Sequence, residues 1–179
     1  NPVSSIDYLG LWTTRAHEQI IDDWLRNRFP QKVQCGCCTI DFRQLLKNAS
    51  ARSDGFSGVR GFHWLPNLNP FSRHLFFRQQ SLGASAQHAM SQPGQDPSDA
   101  EDAFNDFVND QVNATNQALN GSGSCRKLKK AIAALGSAVH AAADNHSPQH
   151  SGFQEWDGLG HAITHPGESG AHTSGENLD

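Results

Sequence analysis

Apolar residues recur along this chain mostly at helical spacing. Ile20, Ile21, Trp24 and Leu25 form one stripe, which predicts a helix from Thr13 to Arg28, with the Thr13/Thr14 pair as its cap and Pro30 closing the segment. A shorter helical stretch is expected near Ile40–Asn48. Ser98-Asp99-Ala100-Glu101 reads as a capping box, and Ala103, Phe104, Phe107, Val108, Val112, Ala118 and Leu119 supply the apolar face of the helix behind it. Gly121 marks its stop. After the linker Gly121-Ser122-Gly123-Ser124, a last helix is predicted from Arg126 to Asn145, with Leu128, Ile132, Leu135 and Val139 facing inward. Ala131, Ala133, Ala134, Gly136 and Ala138 keep that helix thin, so neighbours can approach closely. Pro148 ends it, because the residue before a proline is pushed out of the α region.

Between these segments the pattern lapses. Residues 51–70 are rich in Gly, Ser, Asn and Pro and read as a loop, yet hold Asp54 and the aromatic run Gly61-Phe62-His63-Trp64-Leu65-Pro66. Phe71–Phe77 adds aromatics around His74. A loop this long in a compact domain is functional or disordered, and the aromatics argue against disorder. The polar stretch Gln79–Pro97 is expected to be mobile, and its His88 receives no role. The fold expected is mostly α, one helical domain with long loops. It spans 12–165, after a connector at 1–11 and before a flexible tail at 166–179.

Composition narrows the function. Much of the 36% hydrophobic content is alanine, which fits a helical protein with a modest core. The net charge of −4 includes no basic stripe of the kind that duplex-binding proteins carry. Arg126–Lys130, the one basic run, reads as a solvated first helical turn. No apolar run approaches the ~20 residues of a membrane span, and no signal peptide is visible. The chain starts in mid-pattern, as expected of a piece of a longer protein. Cys35, Cys37 and Cys38 are clustered far from Cys125, unlike the paired spacing of four-cysteine zinc sites. One disulfide from the cluster to Cys125, or none, is expected.

The candidate chemistry lies at the end of the last helix. His140 and Asp144, four residues apart, share a helix face, and His150 follows in the turn beyond Pro148. Imidazole with carboxylate suits zinc or a similar divalent ion. A histidine at a helix end can also simply complement the dipole. However, six of the ten histidines fall between His140 and His172, too dense for surface decoration. His17, on or beside the first helix's stripe, is either a half-buried histidine or a ligand facing the same interior.

Two resemblances extend this. Asn1-Pro2-Val3-Ser4-Ser5-Ile6-Asp7-Tyr8-Leu9-Gly10-Leu11 resembles the closing segment of the RHS repeat core, with Tyr8 where that family has proline. By that resemblance the RHS shell would cut itself between Leu11 and Trp12 and release a C-terminal toxin, paired with a cognate immunity protein. His140-x3-Asp144-x5-His150 has a spacing similar to that of bacterial zinc-dependent phospholipases C and the related single-strand-specific zinc nucleases. That resemblance implies two or three zinc ions, with a mature N-terminal Trp12 and His17 as ligands of one. It further implies His63 and Asp54 from the loop, and His161 with His165, or with Glu155 or Asp157 in its place. Asp144 would bridge two metals, and Asp54 would orient or deprotonate the water they activate. The implied substrate is a phosphodiester: membrane phospholipid of a competitor cell, reached in its periplasm or at its membrane, or single-stranded nucleic acid. The remaining alternative is a non-catalytic module held together by zinc.

Overall fold

A computed structural model describes residues 14–26, 28, 30–36, 38–53, 82–120, 124–147 and 150–155. Within them the chain is mostly helical, as its periodicity predicts. Helix α1 spans Thr14–Leu25, strands β1 (Lys32–Cys35) and β2 (Cys38–Asp41) form a hairpin, and α2 spans Phe42–Ser53. A 3-10 helix, Leu82–His88, precedes the long helix α3 (Pro97–Leu119) and the last helix α4 (Cys125–Asn145). Among the described residues no helix is long and apolar enough to cross a membrane.

Three expectations need correction. The residues at 32–41 form an antiparallel hairpin, with Val33 opposite Ile40 and Cys35 opposite Cys38, where only a cysteine cluster and the start of a helix were expected. Strands of four residues give too short an alternation to register, and Gly36, at φ +57°, makes the turn. Helix α2 begins at Phe42 and runs on to Ser53, past the predicted end at Asn48. Its last residues look loop-like in composition, but Ala49, Ser50, Ala51 and Ser53 are small and buried, as a close helix contact requires. The stretch 79–97, expected to be mobile, holds a 3-10 helix and a buried run from His88 to Ser91.

The third helix also starts earlier than its capping box. Asp96 is the cap: its carboxylate accepts from the Ser98 backbone N–H at 2.9 Å and the Ser98 hydroxyl at 2.6 Å. Pro97 takes the first helical position, where a missing N–H costs nothing. Val112 and Leu119, expected on the apolar face, are largely exposed, while Ala100 and Phe104 are buried.

Helix α4 is the centre of the fold and touches α1, α2, α3 and the 3-10 helix. Its N-terminal half closes a core of Ile21, Leu25, Cys35, Ile40, Leu46 and Ile132. Its C-terminal half joins a second core of Ala89, Ala100, Phe104, Ala141 and Phe153. Where α4 meets α2, a side chain at Gly136 would overlap the Ala49 methyl and lie 3.1 Å from the Leu46 carbonyl oxygen. Cys35, Cys38 and Cys125 carry thiols rather than disulfides. The expected connector at 1–11, the expected tail at 166–179 and the aromatic loop at 62–77 lie outside the described residues.

Candidate metal centre

The helix face that begins at Gly136 continues one turn on to His140 and a second turn on to Asp144, the i, i+4, i+8 positions of one stripe. The small residue brings α2 close, and the next two turns turn chemistry toward the same interior. Opposite, His17 lies one turn before Ile21 and two before Leu25, on the buried stripe of α1. Packing of that stripe carries the imidazole inward with it. The 3-10 helix delivers His88 at its last residue. All four side chains are at least 98% buried.

Their polar atoms converge on one carboxylate. Asp144 Oδ2 lies 3.1 Å from His88 Nδ1 and 3.1 Å from His140 Nε2, and those two nitrogens are 3.2 Å apart. Asp144 Oδ1 faces His17 Nε2 at 3.2 Å. The His17 and His140 rings are tilted 31° to one another with centroids 4.4 Å apart, while His88 meets His140 edge-on at 5.1 Å. One donor atom each from His17, His140 and Asp144 can be chosen so that all lie within 4.8 Å of one another.

Electrostatics sharpen the picture. Burial pushes the His140 pKa down to about 4 against the pull of Asp144, so its imidazole is neutral near pH 7. Burial alone would raise the Asp144 pKa, but the facing His140 and hydrogen bonds from His140, His17 and His88 outweigh it and hold the carboxyl well below its ordinary range. A buried carboxylate thus stays ionised beside a neutral imidazole. An isolated buried charge costs several kcal/mol, and a cation offsets that cost. The Oδ2, Nδ1, Nε2 triangle, with sides of 3.1–3.2 Å, also matches the edge of a zinc tetrahedron, about 3.3 Å for donors bound at ~2.0 Å. The buried His17, His140 and Asp144 group could hold a metal ion.

The surroundings fix these groups. His150, also fully buried, uses Nδ1 on the His88 carbonyl oxygen, which ties the turn after α4 to the 3-10 helix. The Gln87 amide nitrogen reaches the Ser53 carbonyl at 3.3 Å and His88 Nε2 at 3.4 Å, buttressing that ring from behind. An isolated bridge pairs Ser91 with Glu155, and Ser91 N–H donates to the Gln154 carbonyl at 2.9 Å.

Of the residues expected from sequence, His17, His140 and Asp144 come together. His150 stands behind His88, outside the group of converging donors. Glu155 is exposed, unlike the buried cluster. Trp12, Asp54, His63, Asp157, His161 and His165 lie outside the described residues. His88 was missed. The signal available for it was its setting after Ala84-Ser85-Ala86, where small residues permit close packing. No protein-family model matches this chain, and no curated protein or solved structure matches it either.

Proposed function

We propose that this chain is a zinc-dependent phosphodiester hydrolase whose centre is built on His17, His88, His140 and Asp144. The observation that carries the reading is the division of one buried carboxylate between two sets of imidazoles. Asp144 turns Oδ1 to His17 and Oδ2 to His88 and His140, the arrangement a bridging carboxylate needs. Bound zinc supplies Lewis acidity to a phosphoryl oxygen and acidifies water to near neutrality. The chain's part is to hold three imidazoles at one carboxylate, to keep His140 unprotonated near pH 7, and to exclude bulk water. His150 and Gln87 hold His88 in place.

The substrate class rests on the resemblance of the 140–150 spacing, of which His140 and Asp144 join the converging donors while His150 braces His88. The leading reading is a phospholipase C-like toxin that cleaves the head-group phosphodiester of a competitor's membrane lipids, with an immunity protein as its partner. Single-strand nuclease activity is the second reading, and the convergence of His17 on Asp144 favours it, since a histidine five residues after Trp12 is similar to that branch. A closed structural site is favoured by a different observation, the complete burial of the donors.

Metal content per chain, followed by turnover, separates the three. Two or three zinc ions with release of phosphorylated head group from phosphatidylcholine vesicles supports the leading reading. Cleavage of single-stranded DNA or RNA without lipid cleavage replaces it with the second. One tightly held zinc without turnover of a chromogenic phosphodiester, lipid or nucleic acid leaves a structural module. No zinc after reconstitution removes the proposal.

A further inference from the structure

One corner of the fold gathers sulfur that the metal centre does not use. Cys35 and Cys38 face each other across the closing end of the hairpin. Cys35 is buried in the first core, and Cys38 is exposed. Cys125, the first residue of α4, packs against that same core. Its thiol donates to the Cys35 carbonyl oxygen at 2.7 Å, across 90 residues of sequence.

We propose that Cys125 and Cys35 form a reversible disulfide that staples the hairpin to the start of α4, so that the stability of the fold follows the thiol–disulfide potential of its surroundings. The sulfur of one residue already rests against the backbone of the other. Bond formation requires the Cys35 side chain to turn toward that sulfur, with the two Cβ atoms at disulfide span.

Cys125 is the attacking sulfur. It is the first residue of α4, directly after the N-cap Ser124. It is half-buried and reachable, whereas Cys35 is closed off. With glutathione disulfide as oxidant, the Cys125 thiolate attacks one glutathione sulfur and displaces the other as a thiolate. The Cys35 thiolate then attacks the Cys125 sulfur of the mixed disulfide and releases the second glutathione. Two protein thiols are oxidised, and one glutathione disulfide is reduced to two thiols. The loop so closed contains α2, the 3-10 helix with His88, and α3. A Cys35–Cys38 bond would close only the hairpin turn and restrain almost nothing further.

The test uses the full chain, equilibrated in glutathione buffers from fully reduced to fully oxidised, quenched in acid, alkylated and digested. Tandem mass spectrometry then places the bond. The expected result is a Cys35–Cys125 linkage that grows with glutathione disulfide and is reversed by reduced glutathione. A rise in the thermal midpoint of roughly 10 °C should accompany it. Cys38→Ser retains both effects, and Cys125→Ser loses both. The oxidised and reduced natural chain can be compared even if a variant folds poorly. Alkylated Cys125 in the most oxidising buffer overturns the proposal, as does a bond placed at Cys37 or Cys38, or a linkage without a change in midpoint.

Discussion

Asp144 shows how much one buried side chain constrains its neighbours. Three imidazole nitrogens stand 3.1–3.2 Å from its two oxygens, and each comes from a different element. His88 is the sharpest test of whether this convergence is a ligand set. If it is, His88→Ala should weaken zinc binding by about 10–100-fold or more, measured by competition with a chromophoric chelator. If His88 only fills space, affinity should stay within twofold while stability falls. Protons act on the same group. In the metal-free chain the His140 pKa drops from 6.5 unfolded to about 4 folded, because burial disfavours the imidazolium. Between those values the unfolded chain binds a proton that the folded chain refuses. Stability is therefore complete above about pH 6.5 and is lost as pH falls toward 4, at up to about 1.4 kcal/mol per pH unit. Asp144, also shifted down, adds in the same direction below its ordinary 3.8. Urea midpoints of chelator-treated protein between pH 7 and 4.5 should fall with that sign, and His140→Gln should flatten the slope. A midpoint that rises on acidification would contradict the assignment.

At the scale of elements, Gly136 is what lets α2 and α4 approach closely. Gly136→Ala gains about 1 kcal/mol of helix propensity but drives a methyl into Ala49, and overpacking of this kind typically costs about 1–3 kcal/mol. The expected outcome is a lowered urea midpoint, with partial recovery when Ala49→Gly is added. A stabilised single variant would mean that the helices separate freely. At the start of α3, Asp96→Ala should lower the urea midpoint and Glu101→Ala leave it nearly unchanged, since the cap is Asp96 and Glu101 is exposed. The reverse order would restore the capping box read from Ser98–Glu101. These elements also show what periodicity can and cannot convey. Helices α1, α3 and α4 have enough turns for apolar spacing to register, and their predicted ends lie within a few residues of the observed ones. The hairpin at 32–41 has four residues per strand, too few for alternation to stand out. The 3-10 helix is built from Gly, Ala and Ser, whose burial depends on neighbours rather than on hydrophobicity, so a buried segment read as mobile.

At the scale of the whole molecule, the centre draws on positions 17, 88, 140 and 144. Only the last two are tied by local spacing. That pair was legible because a helix fixes i and i+4 on one face. His17 was legible as an orientation, since its apolar stripe had to face the core. His88 was not legible, because nothing local relates the end of a 3-10 helix to His140, 52 residues later. The same separation predicts how the molecule responds to metal removal. The cores around Ile132 and around Phe104 are apolar and do not include the donor residues, so each retains its packing without an ion. An ion held only by the folded state, at about 1,000 times its dissociation constant, adds about 4 kcal/mol. Chelation should therefore lower the thermal midpoint by roughly 10 °C while the helical circular dichroism at 25 °C stays intact. Asp144→Asn should start at the lower midpoint and show no further drop. Loss of helix at 25 °C on chelation would mean that the ion holds the fold together, as a closed structural site does. An unchanged midpoint in the zinc-loaded natural chain would mean that the four residues are a buried polar network without a metal.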